Sequence, residues 1–430
     1  MGGTLWRGRS RAPVNDKMQE DKGLMKHPVL IVGVGGDGPA SLSPSVLDRI
    51  AQADQLWGGK RLLAHWASHL ADKVVIGADV AQRVHHLTRR GDRRVVILAS
   101  GDPGFYGVAA TVLRVLPPEE VVIVPHVTSL QLAFARIGMD WSKAVLTSAH
   151  NRPLAEVVGW ARRARTLGLL TDGEHTPSAI AQTLLAAGLP DCRAVVAESL
   201  GLPEERITDT RLAQLPGADF GPLNVLLLIQ DDGWQPWPTF APRSDERYAH
   251  CRGLITKREV RALSLARLAL RETDVVWDIG AGSGAVSVEM AELAWRGQVY
   301  AVERDAENIA HIRQNVTRFG ALNVSIIKGN APEVLIGLPR PSAVFVGGTG
   351  GGMESILHHI DGAAQPGCRV VANLATLENL VQMLRVTREL GWRIEVMQAS
   401  IAHGREIAGM TRLAPLNPVF VVSAEVGEDE

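Results

Sequence analysis

A short apolar run, Val275-Val276-Trp277-Asp278-Ile279, passes directly into Gly280-Ala281-Gly282-Ser283-Gly284. The run has the length and composition of a buried strand. The glycines that follow permit backbone angles that side chains forbid and let a ligand approach the main chain. Val286, Met290 and Leu293 then recur at spacings that place them on one helix face. Strand, glycine turn and helix start together make a nucleotide-type binding corner, which commits this part of the chain to an α/β sheet.

The glycines alone do not choose the nucleotide, because Gly280-x-Gly282-x-x-Ala285 also fits a loose dinucleotide fingerprint. Gln298–Glu303 reads as the next strand and ends in a carboxylate able to accept from two ribose hydroxyls, a feature that NAD sites share. Asp278 discriminates better. An anion two residues before the first glycine suits the cationic methionine end of S-adenosylmethionine more than a pyrophosphate. A purely structural glycine turn is the competing reading.

With 430 residues the chain is too long for one typical core, and two domains of roughly 200 residues are expected. The net charge of −1 argues against an obligatory nucleic-acid partner. Cys192, Cys251 and Cys368 are scattered without metal or disulfide spacing, which fits free thiols in a reducing cytoplasm. No apolar run approaches the roughly 18 residues of a membrane span. Residues 1–27 carry Arg7, Arg9 and Arg11 without an apolar centre and read as a disordered leader, with Met18 and Met25 as alternative starts.

In the N-terminal half, short apolar strands are expected at Val29–Val32, Val74–Ile76, Val95–Ser100, Val121–Val124, Leu167–Thr171, Ala194–Ala197 and Val225–Ile229. Helical patterns separate most of them, which predicts an α/β domain with mainly parallel pairing. Ser43-Pro44 reads as a helix cap and first turn. Ser100-Gly101-Asp102-Pro103-Gly104-Phe105-Tyr106-Gly107 follows a strand and is too rich in glycine and aromatics for a plain turn; it reads as the wall of a pocket, or as a rigid turn over packed rings.

Those motifs, with Gly33-Val-Gly35, Ser129-Leu-Gln-Leu-Ala133, Leu170-Thr171-Asp172, Thr176-Pro177 and Glu198 to Glu205, resemble the tetrapyrrole methylases, over about Pro28 to Gln230. The resemblance implies two α/β lobes with S-adenosylmethionine in the cleft between them. It places Gly35, Gly101, Asp102, Gly104, Thr128, Ser129 and Thr171 in or near that cleft. Where the family often has Pro-Gly-Ile-Ser-Ser, this chain has Pro125-His126-Val127-Thr128-Ser129, so His126 is either a pocket residue or a surface one. Ser148-Ala149-His150-Asn151-Arg152 stands in place of a family Ser-Leu-His-Gly-Arg segment. His150 and Arg152 are therefore candidates to face substrate carboxylates, Arg152 the better for its two-point geometry.

Residues 231–250, with Trp234, Trp237 and Pro236, Pro238 and Pro242, break every periodic pattern and mark a linker packed on a domain. Beyond it, Thr256 and Glu259 have capping-box spacing. Ile309, Ile312, Val316 and Phe319 mark a helix face. Further strands are expected at Asn323–Ile327, Ala343–Val346 and Arg369–Ala372, with Trp392–Ser400 and Pro418–Ser423 as an antiparallel edge pair. Gly329-Asn330-Ala331-Pro332-Glu333 falls where an adenine would lie in a doubly wound sheet. Gly347 to Gly352 offers backbone that a flat substrate edge could approach, or a flexible loop. The adjacent pairs His85-His86 and His358-His359 point apart on helices and do not suggest a metal site.

Gly253-x-x-Thr256-Lys257, Asp278 to Gly284, Asn330 to Glu333, Phe345 to Gly348 and Asn417 to Phe420 resemble the decarboxylating precorrin methyltransferases, over about Arg252 to Val422. The resemblance implies a class I Rossmann-like domain in which Thr256, Gly280, Ala281, Gly282, Ser283, Gly284, Glu303 and Ala331 contact S-adenosylmethionine. Asn330 stands where an aspartate is common. The two halves together are similar to the fused family that methylates precorrin-6Y at C5 and C15 and decarboxylates the ring C acetate. That implies residues 28–230 for C5, 251–425 for C15 and decarboxylation, two S-adenosylmethionine sites, a tetrapyrrole substrate and self-association. Alternatives are the equivalent cobalt-precorrin reactions, an RNA or small-molecule methyltransferase, an NAD dehydrogenase, and a degenerate nucleotide-binding scaffold.

Overall fold

A computed structural model describes residues 27–77, 79–150, 152–237, 242–251 and 254–427. The expected leader, apart from His27, lies outside the described residues, as do Asn151, Pro238, Arg252 and Gly253. The chain forms two compact units. The first reaches to Leu132 and takes in Gly201–Pro203; the second comprises Ala133–Leu200 and Glu204 onwards.

The first unit is built on strands β1 (Val29–Val34), β2 (Gln55–Gly58), β3 (Asp72–Val75), β4 (Val95–Ser100) and β5 (Val121–Val124). Their order is β3-β2-β4-β1-β5 and every pairing is parallel. β1 is buried along its whole length because both faces are covered. Leu30 and Val32 pack with Ile50, Leu56 and Leu63 on one side, Val29 and Ile31 with Trp57, Val84 and Leu87 on the other. Ser43 is the N-cap before Pro44, yet its hydroxyl makes no cap bond and instead meets that of Ser45 at 3.1 Å.

The second unit holds two larger sheets. One contains β6 (Val145–Ser148), β7 (Thr166–Leu170), β8 (Arg193–Glu198), β9 (Arg206–Arg211) and β10 (Asn224–Ile229), in the order β6-β7-β10-β8-β9. The pair β6–β7 is parallel; β7–β10, β10–β8 and β8–β9 are antiparallel, a local departure from the parallel pairing that prevails across the N-terminal half. The edge strand β9, Arg-Ile-Thr-Asp-Thr-Arg, has no apolar alternation to announce it. Cross-strand ion pairs Arg193–Asp209 and Arg206–Glu198 fasten it, a charged edge of the kind that discourages further pairing.

The other sheet contains β11 (Val275–Ile279), β12 (Gln298–Glu303), β13 (Val324–Lys328), β14 (Ala343–Val346), β15 (Arg369–Leu374), β16 (Arg393–Ala399) and β19 (Val419–Glu425); β17 (Ala402–Ile407) and β18 (Met410–Pro415) form a separate exposed hairpin. The order is β13-β12-β11-β14-β15-β19-β16, parallel except for β19, which runs antiparallel to β15 and β16. Trp277, Val344 and Val346 meet the helices Met353–Ala363 and Leu377–Glu389 on one face. Val276, Ala343 and Phe345 meet Arg258–Leu268 and Ala285–Leu293 on the other, so the sheet is doubly wound.

Two local expectations change. The helix beginning at Arg258 is capped at Lys257, without a side-chain bond, so Thr256 and Glu259 form no capping box; the Thr256 carbonyl instead accepts from Arg261 Nη1 at 2.6 Å. The helix Ala285–Leu293 is buried from Ala285 through Ala291 rather than on one face. Its acid Glu289 accepts from the Tyr248 hydroxyl at 2.8 Å and the Arg243 amide at 3.0 Å on one oxygen, which also lies 2.9 Å from Arg261 Nε. The Arg261 charge offsets the cost of burying a carboxylate whose other oxygen has no hydrogen-bond partner. Within the proline- and tryptophan-rich segment, the Trp237 amide donates to the Arg162 carbonyl at 2.9 Å, and its ring lies 4.1 Å from the Arg162 guanidinium.

Candidate functional site

In the seven-stranded sheet the strand order reverses between β11 and β14, the switch point at which doubly wound sheets bind ligands. The glycine turn after β11 sits there for a steric reason. Gly280 has φ +71°, and a Cβ on it would lie 2.3 Å from the Gly348 carbonyl oxygen in the turn after β14. Gly282 and Gly284 also have positive φ, at +55° and +74°; a Cβ on Gly284 would press on Ile312 at 3.0 Å. Gly280 and Ala281 both donate to the Val302 carbonyl at 3.0 Å, which ties the turn to β12.

Glu303, at the end of β12, is the hub of this corner. One carboxylate oxygen accepts from the Gly282 amide at 2.8 Å; the other accepts from the Arg304 and Asp305 amides at 2.8 and 2.9 Å. Asp305 then caps the helix Ala306–Phe319. Backbone donors hold the carboxylate in place and take three of its roughly four acceptor sites, which leaves the oxygen bonded to Gly282 as the freer one. The surrounding cavity, about 350 Å³, is lined by Gly280, Glu303, Asn330 and Ala331 from the expected set. Arg304, Asp305, Asn308 and Ile356 also line it and were not singled out from the sequence. Arg304 and Asp305 follow Glu303 directly, so a strand-to-helix capping signal could have found them. Gly348, Thr349 and Gly350 from the glycine-rich run complete its wall.

Asp278 is placed differently from an open anion. It is fully buried and is not on the cavity wall. The Ser287 hydroxyl donates to one carboxyl oxygen, while the other, Oδ1, has no hydrogen-bond partner. Burial pushes the carboxyl up to about 7 against the Ser287 hydrogen bond, which favours the anion; the nearby Glu303 charge raises it further. Ala281 and Ser283 are also buried, and the Ser283 carbonyl accepts from Asn315 Nδ2 at 2.8 Å. Thr256 is half-buried away from this wall.

In the first unit a second glycine corner stands at the carboxyl ends of β1 and β4. A Cβ on Gly33 would lie 2.2 Å from the Gly101 carbonyl oxygen, so the two turns touch through bare backbone. The Gly35 amide donates to Ser41 Oγ at 3.0 Å, and a Cβ there would meet the His126 ring at 2.8 Å. His126 is thus half-buried against the turn. Gly101 has φ +63° and donates to the Val34 carbonyl at 3.0 Å; Asp102 Oδ1 accepts from the Gly104 amide at 2.8 Å. Thr128 and Gln131 cap each other's amides at 3.2 and 2.8 Å around the start of the helix Ser129–Arg136.

Thr171 belongs to the second unit, at the end of β7, where its hydroxyl donates to the Asn224 carbonyl at 2.7 Å. His150 is exposed, with Nδ1 3.2 Å from Asp172 Oδ2. Arg152 Nη1 lies 3.1 Å from Glu156 Oε1, a carboxylate shared with Arg296.

Comparison with known proteins divides the chain at a different place, so that each glycine corner falls in its own match. Residues 28–216 match the family of tetrapyrrole (corrin/porphyrin) methylases, and residues 246–425 match the precorrin methyltransferase domain. A precorrin-6Y C(5,15)-methyltransferase (decarboxylating) from a Sinorhizobium species is 36% identical over 394 residues, covering 90% of this chain and 94% of its own. A probable cobalt-precorrin-6B C(15)-methyltransferase (decarboxylating) from Pyrobaculum calidifontis is 37% identical over 192 residues, 44% of this chain and 98% of the relative. A cobalt-precorrin-7 C(5)-methyltransferase from Salmonella typhimurium is 34% identical over 179 residues, 41% of this chain and 87% of the relative.

Proposed function

Because the chain belongs to the precorrin-6Y C5,15-methyltransferase (decarboxylating) family, we propose that it methylates precorrin-6Y at C5 and C15 and removes the ring C acetate carboxylate, giving precorrin-8X in cobalamin biosynthesis. The observation that carries this reading is the presence, in one chain, of two different glycine corners, each inside its own family match. Residues 28–230 serve C5; residues 251–425 serve C15 and decarboxylation.

S-adenosylmethionine is the donor at two sites. At the C-terminal corner the residues fit it: Glu303 keeps an acceptor oxygen for a ribose, Gly280, Asn330 and Ala331 share its wall, and the buried Asp278, off that wall, is the proposed acid for the cationic end. Ala281, Gly282, Ser283 and Gly284 belong to the turn that supports that wall, and Thr256, which lies off it, is the remaining proposed contact. Gly35, Gly101, Asp102, Gly104, Thr128, Ser129 and Thr171 form the second set. When bound, the cofactor supplies an electrophilic methyl group on a sulfonium. The bridging carbon of a reduced tetrapyrrole is enamine-like and already nucleophilic, so the protein's part is orientation and exclusion of water. Arg152 and His150 are the candidates to hold substrate carboxylates.

The near-full-length relative is named for precorrin and the half-length relatives for cobalt-precorrin, which favours the cobalt-free substrate. No helix among the described residues is long and apolar enough to cross a membrane. A cytoplasmic homo-oligomer that does not engage nucleic acid completes the reading. The test is incubation with precorrin-6Y and S-adenosylmethionine, followed by mass measurement. A gain of two methyl groups with loss of one carbon dioxide is expected. Two methyl groups with the carboxylate retained would remove the decarboxylase assignment, and turnover of the cobalt-precorrin alone would move the substrate.

A further inference from the structure

A larger cavity, about 520 Å³, lies elsewhere in the second unit, away from the Glu303 corner. Five arginines and one glutamate line it: Arg162, Arg163, Arg243, Arg247, Arg318 and Glu292. They come from separate stretches of chain: the end of the helix Leu154–Ala161, the segment after Trp237, and the ends of the helices Ala285–Leu293 and Ala306–Phe319. Arg243 is neutralised by Glu292. The other four make no ion pair with a carboxylate among the described residues. Arg162 is 6% exposed, and its Nη2 donates only to the carbonyls of Ala187 and Phe319, at 2.7 and 2.8 Å. Burial lowers its pKa to about 10, a sign that its charge is poorly compensated.

The surroundings are closely fitted. A Cβ on Gly159 would lie 2.1 Å from the Trp295 ring, and one on Gly320 would lie 2.6 Å from the Ala187 Cα. Trp237, Trp295 and Phe319 each carry a guanidinium on the ring, at 4.1, 4.8 and 4.7 Å. These contacts hold the cations in place without discharging them. A chain of net charge −1 has here gathered, around one space, four guanidinium groups that lack a direct ion pair among the described residues, with Glu272 and Glu292 as opposing charges. Arg162, Arg243 and Arg247 gather at Phe319 while Arg163 stands on Trp295, so positive charge is offered at two places on the wall, which suits an anion that carries more than one carboxylate.

We propose that this cavity is a holding site for the carboxylate-bearing edge of a tetrapyrrole, distinct from the methyl-donor cavity at Glu303. The choice of tetrapyrrole rests on the function proposed above; the anionic character of the ligand does not. Arg247 and Arg318 are exposed and lie outside both donor corners, so they can be changed without opening the core.

The test is equilibrium titration of the full chain with uroporphyrin III, a porphyrin octacarboxylate, against the double variant Arg247→Gln/Arg318→Gln. The wild-type chain is expected to show a class of sites whose affinity falls at least about tenfold in the variant and weakens with salt. S-adenosylmethionine affinity and the thermal midpoint stay unchanged. Superimposable titrations of the two proteins would overturn the site. Displacement of uroporphyrin from the arginine-dependent class by inorganic phosphate at equal concentration would overturn the tetrapyrrole assignment. Arginine-dependent binding in a chain that fails the precorrin-6Y mass assay would leave this site standing and fail the proposed reaction instead.

Discussion

The two glycine corners solve one problem by different means. At β11 and β12 the turn is organised by acids: Glu303 gathers three backbone amides, and Asp278 sits sealed beside Ser287. At β1 and β4 the turns are held by short polar links, from Ser41, Asp102 and Thr128, and by the direct approach of Gly33 to Gly101. The first corner concentrates its binding potential in one carboxylate. The second distributes it over backbone. A concentrated corner fails when one side chain is removed, whereas a distributed one fails when backbone is pushed aside.

The largest expected effects test the steric side of this contrast. Gly33→Ala puts a methyl group 2.2 Å from the Gly101 carbonyl oxygen, and product methylated at C5 should vanish while C15 methylation continues. Gly280→Ala, at φ +71° and 2.3 Å from the Gly348 oxygen, should do the reverse. Mass analysis of singly methylated product separates the two, and loss of both methylations in either variant would show that the corners do not act independently.

Glu303→Ala comes next. It removes the proposed ribose acceptor and strands three amides, so S-adenosylmethionine affinity at that site should fall about 100-fold, or about 2.7 kcal/mol. Calorimetry resolving two sites would show one weakened and one intact. An unchanged isotherm would end the description of Glu303 as hub.

Asp278 sharpens the contrast through pH. Its folded value, about 7, lies above the unfolded carboxyl value of about 4. Between these the folded chain keeps a proton that the unfolded chain releases. Its contribution to stability is therefore complete below about pH 4 and is lost as pH rises through about 7. Asp278→Asn should flatten the decline of the ligand-free thermal midpoint over that window; a variant that follows the wild-type curve would place the titration elsewhere.

Thr171→Val is the mildest change. It deletes the hydroxyl bond to Asn224 at the end of β7 and should cost about 1 kcal/mol, with C15 methylation untouched.

Much of the concentrated corner was readable along the chain, because its parts are short and local. Strand, glycines and helix are contiguous from Val275, Glu303 closes a strand, and Asn330 follows just beyond the end of another, each with a visible apolar run. The ionisation of Asp278 was not readable. It depends on Ser287 and on the burial of the whole helix Ala285–Leu293, where a one-sided face was expected. The edge strand β9 escaped notice because ion pairs, not apolar alternation, fasten it. Thr256 was misplaced as a cap because helix starts shift by a residue when no side chain fixes them.

The succession of strands along the chain, the two glycine corners and the family resemblance follow from residues near one another in sequence, since hydrophobic period, glycine placement and strand-end acids are local properties. The antiparallel pairing around β10, the near-neutral carboxyl of Asp278 and the arginine cavity do not. Arg162, Arg243 and Arg318 lie far apart along the chain, and only packing brings their charges to one wall. Desolvation and Coulomb interaction depend on distance through space, and folding alone sets that distance.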